Sequence, residues 1–147
     1  MSGPGLELVI QRASRASHIP SDARLRGWAR SALPRRAIVT LRYVAETEAR
    51  RLNREFRGKD YATNVLTFIF DDAPRATLAG DIVICAPVVA REAHAQGKAL
   101  VAHHAHLLVH GLLHLQGYDH ERDDEAARME RRERALLRRL GFGDPYA

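Results

Sequence analysis

The sequence predicts an α+β fold, with about four strands in one mixed sheet and about five helices. Alternating or β-branched apolar segments interleave along the chain with segments of helical periodicity. Of its 147 residues, 46% are hydrophobic and 28% are charged, which is typical of a globular protein. No repeat and no obvious linker divides the chain. We therefore expect a single domain over residues 1–147.

The predicted strands are short apolar segments. LELVIQ alternates between apolar and polar residues, and AIVTLRYV is rich in β-branched residues. NVLTFIF and GDIVICA are two further apolar runs, and the turn-rich stretch DDAPRATLA joins them. These patterns predict strands over 6–11, 37–44, 64–70 and 80–86.

The predicted helices carry recognisable start and stop signals. Ser21 or Asp22 is expected to cap the first helix, and Pro87 suits the first turn of the third. Gly97 and Gly117 each follow a helical segment, where a glycine can end the helix in the left-handed conformation. These signals and the apolar periodicity predict helices over 21–33, 47–56, 87–97, 99–116 and 123–141.

Positive charge is concentrated in the first part of the chain. Residues 1–60 hold 13 Lys and Arg against 6 Asp and Glu, whereas residues 61–147 hold 10 against 12. This asymmetry predicts a polyanionic partner, with nucleic acid as the first candidate. The alternative on charge alone is an arginine-rich surface that only contacts solvent.

Cysteine and hydropathy indicate the cellular compartment. Cys85 is the one cysteine of the sequence, which excludes an intramolecular disulfide framework and suits a reducing compartment. No stretch approaches the roughly 20 apolar residues that a membrane-spanning helix needs. We therefore expect a cytoplasmic protein without a membrane partner.

The predicted helix over 99–116 is unusually rich in histidine. At about 100° per residue, four imidazoles fall on one stripe of this otherwise apolar helix. A buried row of imidazoles is costly unless each ring finds a hydrogen-bond partner, and a metal ion would satisfy several at once. The alternative is a histidine-rich core. The four residues of the stripe are His103, His106, His110 and His114.

Geometry selects three metal ligands. His110 and His114 lie one turn apart and can bind one ion, whereas ligands at i and i+8 are about 12 Å apart along the axis. Gly117 can end the helix and turn the chain so that His120 supplies a third nitrogen. The pattern therefore predicts one Zn²⁺ at His110, His114 and His120, although other divalent metals also suit this set. Three ligands leave one position for water, which is typical of catalytic zinc.

The other histidines have weaker assignments. His106 is a candidate for a residue beside the ligands or facing the substrate. For His103 a position on the helix surface is favoured, and His18, His94 and His104 are expected to be exposed to solvent.

Gly111 follows the first ligand, where zinc peptidases of the H-E-x-x-H type carry a glutamate base. The absent glutamate argues against a metallopeptidase, which stays a weaker alternative. Because glycine costs a helix about 1 kcal/mol relative to alanine, a compensating role is expected. Room for a substrate or close packing would explain it.

The string HGLLHLQGYDH (110–120) resembles the H-G-x-L-H-L-x-G-Y-D-H signature of the YbeY family of bacterial endoribonucleases. Segments 52–68, 80–85 and 123–146 also resemble this family, so the likeness covers about two-thirds of the chain. The sequence departs from the family pattern at Asn64, where Asp is usual, and at Thr67 and Ile69, where Ser and Pro are common.

The resemblance implies a zincin-like α+β fold and a zinc-dependent, single-strand-specific endoribonuclease. It implies action in 16S ribosomal RNA 3′-end maturation, ribosome biogenesis and quality control of 30S and 70S particles. The implied partners are ribosomal RNA and the small ribosomal subunit with its proteins. Zinc ligation is carried onto His110, His114 and His120, and an important basic role onto Arg57. A non-catalytic, zinc-stabilised assembly factor is the main alternative.

The residues themselves suit this chemistry. Arg57 shares a predicted helix face with Arg50 and Arg54, and its guanidinium could clamp a phosphate near the metal. Arg57 and the ligand His114 are therefore the candidate catalytic residues. Asp119 and Lys59, with His106, are candidates for supporting or substrate-facing roles. The sequence leaves open whether water or the RNA 2′-hydroxyl attacks.

Overall fold

The protein is described from a computed structural model that covers residues 5–73 and 76–147. Positions 74 and 75 of the turn-rich stretch lie outside the described residues. The elements in chain order are β1 (Leu6–Ala13), α1 (Asp22–Ala32), β2 (Ala37–Val44), α2 (Glu46–Arg57), β3 (Val65–Ile69), β4 (Leu78–Cys85), α3 (Ala86–Gln96), α4 (Leu100–Leu115) and α5 (Asp123–Arg139).

The strands form one mixed sheet in the order β1-β2-β4-β3. β1, β2 and β4 are parallel, whereas β3 pairs antiparallel with β4 at one side of the sheet. The three parallel strands therefore begin, and β3 ends, at the same edge of the sheet, called here the amino edge. The register places Leu6 beside Ala37, Ala37 beside Leu78, and Ile69 beside Gly80. The predicted α+β class and mixed sheet are confirmed.

α4 is the central helix of the larger core. Leu108, Leu112 and Leu113 are fully buried in it, and burying such a side chain contributes about 1.5–3 kcal/mol. α1, α3 and α5 pack against α4, and one face of the sheet lies beneath it. This packing holds the histidine stripe of α4 in a defined orientation.

The opposite face of the sheet is partly covered by α2. Val44, Leu66 and Val83 form a smaller apolar cluster with Ala49 of α2. Cys85 belongs to this cluster, and burial raises the pKa of its thiol. Its role as a small buried hydrophobic side chain agrees with the sequence interpretation.

Strand pairing extends two strands beyond their sequence patterns. β1 continues to Ala13 and β4 already begins at Leu78, because both pair with β2 along its whole length. The Leu-Ala-Gly start of β4 has no alternation, so its extent depends on the partner strand.

Ser21 caps α1 by accepting a hydrogen bond from the Arg24 N–H, as the sequence predicted. No helix within 5–73 or 76–147 has the length and hydropathy to cross a membrane.

Candidate metal centre and its cleft

The C-terminal end of α4 brings three histidines together. One nitrogen from each of His110, His114 and His120 lies within 4.8 Å of the other two. The ring centroids of His110 and His114 are 4.6 Å apart, and His120 lies 5.6 Å and 5.1 Å from them. These are the three residues that sequence geometry selected.

The turn after α4 makes this convergence possible. Gly117 has φ of 95°, a backbone conformation that residues with a side chain rarely adopt. The N–H of Gly117 donates to the His114 carbonyl, and the N–H of Tyr118 donates to that of Leu113. This is the Schellman arrangement. It ends the helix and returns His120 over the other two rings.

The hydrogen bonds of His110 and His114 determine which nitrogens are free. His114 Nδ1–H donates to the Tyr118 carbonyl at 3.0 Å, and His110 Nδ1–H donates to Glu133 at 3.1 Å. In the neutral rings each Nε2 then carries a lone pair, and these two atoms face each other at 3.1 Å. Two facing lone pairs repel unless a cation lies between them. The donor set therefore fits a divalent metal, and zinc prefers such nitrogens.

Burial supports the neutral state of His114. Burial is the largest cause, and together with the neighbouring His110 and His120 rings it lowers the pKa of this ring to about 4, against the opposing effect of the Tyr118 carbonyl. A neutral imidazole is the form that binds a metal ion.

Glu133 of α5 supports the metal centre through hydrogen bonds with His106 and His110. Its side chain is 1% exposed, and Oε2 accepts from His106 Nε2 at 2.7 Å and from His110. Burial raises the pKa of Glu133, but the hydrogen bonds from His106 and His110 outweigh this effect and lower it to about 2. A carboxylate that accepts from the distal nitrogen of a ligand fixes its tautomer and orientation.

The C-terminal segment completes this support. The Tyr146 hydroxyl donates to Glu133 Oε1 at 2.7 Å, so both carboxylate oxygens are occupied. Burial and the adjacent carboxylate of Glu133 raise the pKa of Tyr146, which keeps the hydroxyl a donor. His106, Glu133 and His110 also lie close enough to hold a metal, but hydrogen bonds already account for their approach.

Two of the three histidines, His114 and His120, line a cleft of about 330 Å³ at the amino edge of the sheet. One wall is formed by Thr67 and Ile69 of β3 and by Arg57, the last residue of α2. Gly58 ends α2 with φ of 69°, where the chain turns away and leaves Arg57 at the cleft. The structure therefore places the predicted Arg57 and His114 in one cavity.

The three arginines of the α2 face are not equivalent. Arg50 donates two hydrogen bonds to Asp60, at 2.8 and 3.0 Å, and Arg54 lies 3.9 Å from the same carboxylate. Within 5–73 and 76–147, no ion pair involves Arg57. Its guanidinium is the one of the three that is available for a phosphate.

The predicted supporting residues occupy different environments. Asp119 lines the cleft, and its Oδ1 accepts from the His120 N–H at 2.7 Å, which shapes the ligand loop. His106 turns its Nε2 toward Glu133 rather than toward the three ligands. Lys59 is exposed on the loop after α2 and is not among the residues that line the cleft.

The interpretation of two histidines as surface residues is wrong. His103 is 5% exposed and contacts Glu92 at 2.9 Å, whereas His104 is fully buried and lies 3.1 Å from His18 Nδ1. His18 is half-buried, and His94 is exposed as expected. The physical reason is that other elements pack against α4 on most of its circumference, so both His103, in the predicted stripe, and His104, outside it, are buried.

Gly111 has a packing role. A Cβ at this position would lie 3.0 Å from Ile82 Cγ2 and 3.2 Å from Cδ1, so the glycine permits close approach of α4 to β4. Of the two explanations considered for Gly111, close packing is the one the structure supports. A glutamate here would collide with the sheet, which removes the peptidase-type base from this position.

Glu133, Tyr146 and Glu121 were not predicted as site residues. Glu133 lies in a helix that is dense in Arg and Glu, and only its 1% exposure distinguishes it from its neighbours. The one available signal was its position on the buried side of α5, four residues after Met129. Glu121 lines the cleft directly after the third ligand.

Comparisons with known proteins give one consistent family. The family model of the endoribonuclease YbeY matches residues 15–141. A protein of Aromatoleum aromaticum named endoribonuclease YbeY is 57% identical over 97% of this chain and 93% of its own length. One of Thiobacillus denitrificans with the same name is 52% identical, over 97% of both chains.

A solved structure shows the same fold. The solution structure of TM1509 from Thermotoga maritima matches with a TM-score of 0.63 and 26% identity, over 90% of this chain and 88% of that one. The resemblance inferred from the histidine signature is thus confirmed over most of the sequence. The chain belongs to the endoribonuclease YbeY family.

Proposed function

We propose that this protein is a metal-dependent endoribonuclease that cleaves single-stranded ribosomal RNA, with zinc as its metal ion. Maturation of the 16S ribosomal RNA 3′ end, on the small ribosomal subunit, is the proposed biological reaction. One observation carries the proposal: the Nε2 atoms of His110 and His114 face each other beside the cleft that His114 and His120 share with the uncommitted guanidinium of Arg57.

The metal would be held by His110, His114 and His120. When bound, a divalent ion supplies Lewis-acid chemistry, since it polarises a phosphate oxygen and lowers the pKa of a coordinated water. His110 is kept in position by Glu133, and His114 by the Tyr118 carbonyl. These contacts orient the ligand nitrogens before the ion arrives.

Arg57 is proposed to bind the scissile phosphate. A guanidinium presents two parallel N–H groups that match two phosphate oxygens, and it stays charged at any physiological pH. Its position opposite the histidines would hold the phosphate against the metal and stabilise the charge that develops on its oxygens. A positioned cation of this kind is the expected device for phosphoryl chemistry.

Proton transfer would be carried out by groups that face the cleft. Glu133 is unsuitable, because its carboxylate is buried and both oxygens already accept hydrogen bonds. Asp119 and Glu121 line the cleft and can reach its contents. These two carboxylates are therefore the proposed sites at which a proton is held or released.

The test compares His114→Ala and Arg57→Glu with the unaltered protein on a fragment of the 16S 3′ region, in preparations free of host nucleases. We expect both changes to reduce cleavage by at least about a hundredfold, as is usual for loss of a metal ligand or an electrostatic stabiliser. Arg51→Glu is the matched control, since it reverses an exposed charge on the same helix outside the cleft. It should retain nearly full activity.

Undiminished cleavage by both variants would refute the proposal. A protein that binds the fragment but never cleaves it would favour the non-catalytic assembly factor. The product ends identify the nucleophile: a 2′,3′-cyclic phosphate indicates attack by the 2′-hydroxyl, and a 5′-phosphate indicates attack by water. A duplex of the same sequence, resistant to cleavage, would establish single-strand specificity.

A further inference from the structure

The cleft does not account for most of the positive charge in the first part of the chain. Residues 23–45 contain six arginines and neither Asp nor Glu. They span most of α1, the following loop and all of β2. This segment is therefore the main source of the charge asymmetry between the two parts of the sequence.

Several of these arginines have no acidic partner. Arg42 pairs with Glu48 at 2.8 Å, but no ion pair in the described parts of the chain involves Arg30, Arg35 or Arg36. All three residues are exposed. By contrast, the cleft-side helix α2 neutralises Arg50 with Asp60.

The last turn of α5 adds two more arginines to the same place. Arg139 donates to the Ser31 carbonyl at 3.4 Å, which brings the end of α5 against the end of α1. Arg138 precedes it and is exposed. Neither takes part in an ion pair within 5–73 and 76–147. We refer to Arg30, Arg35, Arg36, Arg138 and Arg139 as the α1-end arginine cluster.

The cluster lies on the same side of the molecule as the metal centre. The Arg36 carbonyl accepts from the Leu78 N–H, so the loop before β2 lies at the amino edge of the sheet. Gln116, next to Gly117 of the ligand turn, donates to the Ala32 carbonyl at 3.0 Å. The end of α1 is therefore anchored to the end of α4, where the histidines are held.

The separation of the two sites suits a single strand of RNA. In the sheet, β4 lies between β2 and β3. β2 begins directly after Arg35 and Arg36 of the cluster, and β3 forms one wall of the cleft. With adjacent strands about 4.8 Å apart, the two positions on this edge differ by about 10 Å. At a stacked rise of about 3.4 Å per nucleotide, this distance corresponds to about three nucleotides.

We propose that the α1-end arginine cluster is a second binding site for the RNA backbone, which holds phosphates a few nucleotides away from the one in the cleft. The inference rests on the proposed function and adds the surface that the longer substrate follows. Guanidinium groups without carboxylate partners bind phosphates well, because no existing ion pair must first be broken.

The composition of the cluster predicts how it reads RNA. The cluster consists of arginines alone. The exposed aromatic residues within the described ranges, Phe56, Tyr61, Phe70 and Tyr146, lie on other segments of the chain, and Phe70, whose N–H donates to the Ala79 carbonyl, is the one at the amino edge between the cluster and the cleft. Without an aromatic platform for stacking, binding there depends on phosphate charge rather than on base identity. The cluster should therefore increase the affinity for longer RNA strands without adding a preference for sequence.

The experiment measures binding of a labelled single-stranded RNA of about a dozen nucleotides, within the range that single-strand sites cover. Fluorescence anisotropy across a series of salt concentrations, with chelator present to prevent cleavage, compares the full-length protein with Arg35→Glu/Arg36→Glu. A matched control, Arg15→Glu/Arg24→Glu, makes the same change in net charge near the opposite edge of the sheet, at two exposed arginines that also have no ion pair among the described residues. Arg35→Gln/Arg36→Gln is a milder variant in case charge reversal disturbs folding, which circular dichroism would report.

We expect Arg35→Glu/Arg36→Glu to weaken RNA binding about tenfold at low salt. Each lost phosphate contact should reduce the slope of log affinity against log salt concentration by about 0.7. The control pair should change both quantities much less. Metal content should be unchanged, as should cleavage of a dinucleotide, whose single internucleotide phosphate occupies the cleft and leaves none for the cluster. Equal effects of the cluster and control pairs would overturn the inference, as would unaltered protein that does not bind this RNA. Failure of the proposed function appears separately, as binding with this salt behaviour but no cleavage when metal is present.

Discussion

Helix α4 carries two groups of histidines whose surroundings differ sharply. Near its N-terminal end, His103 and His104 are buried and contact Glu92 and His18. Near its C-terminal end, His110 and His114 direct free nitrogens toward each other, beside a cleft that His114 and His120 line. The same residue type on the same helix thus produces a core contact in one place and a candidate metal centre in the other.

The difference shows what converts a histidine-rich helix into a site. At the C-terminal end His110 and His114 each donate the Nδ1–H to a partner on the protein, which leaves their two Nε2 atoms free at 3.1 Å from each other. At the N-terminal end no third residue converges on His103 and His104, and no metal-binding group in the described ranges includes them. Convergence and access, rather than histidine content, distinguish the two ends.

The largest expected effect is on metal content, compared between two single variants. One removes a ligand at the C-terminal end of α4, and the other removes a buried histidine at its N-terminal end. His114→Ala should abolish stoichiometric metal binding, since only two ligands remain. His103→Ala should keep about one metal ion per chain, although its stability falls. Elemental analysis of untagged protein after dialysis measures both. Equal metal content in the two variants would show that the centre lies elsewhere.

The second test concerns the carboxylates that contact histidines at each end. Glu133→Gln should lower metal affinity about 10- to 100-fold, because the contact that orients His110 is weakened. Glu92→Gln, which alters the contact with His103, should leave metal affinity unchanged. Competition with a chromophoric chelator gives the dissociation constants. An unchanged affinity for the Glu133 variant would mean that His110 is positioned by packing alone.

A third test uses acid sensitivity at the buried N-terminal end. Burial, and then the charge of His18 and His103, lowers the pKa of His104 from 6.5 to about 4 in the folded state. The unfolded chain therefore binds more protons below pH 6.5, so stability decreases as the pH falls through this window. The contribution is about 2 kcal/mol between pH 7 and pH 5.

Urea unfolding at these two pH values measures this contribution as a difference. His104→Leu should make the loss of stability in acid smaller by about that amount, whatever its effect at pH 7. His94→Ala, on the exposed side of α3, should leave the loss as it is. If the two variants behave alike, His104 is not the group that responds.

The smallest expected effect comes from the outermost member of the support for His110. Tyr146→Phe removes one hydrogen bond to Glu133 and leaves the ring in place. A net loss of about 1 kcal/mol corresponds to a decrease in metal affinity of about fivefold. The same chelator competition detects it. A decrease as large as that of Glu133→Gln would mean that the C-terminal segment, not the carboxylate itself, controls the position of His110.

The sequence alone identified the local features of this protein. The number and order of helices and strands follow from apolar periodicity and from signals such as Ser21 and Gly97, which act over a few residues. The ligand set follows in the same way, because His110 and His114 are one helical turn apart and Gly117 turns the chain to His120. Each of these relations extends over no more than the eleven residues from His110 to His120.

Only the tertiary structure decided the relations between distant segments. Glu133 is 23 residues from His110 in the chain, and the end of α1 is 84 residues from the glutamine that anchors it. Their meeting depends on how α1 and α5 pack on α4, which no local pattern encodes. The burial of His103 and His104 has the same origin, because a residue's exposure depends on every element packed around its helix. Local spacing therefore determined the ligands, and packing determined what holds them and which charges remain free.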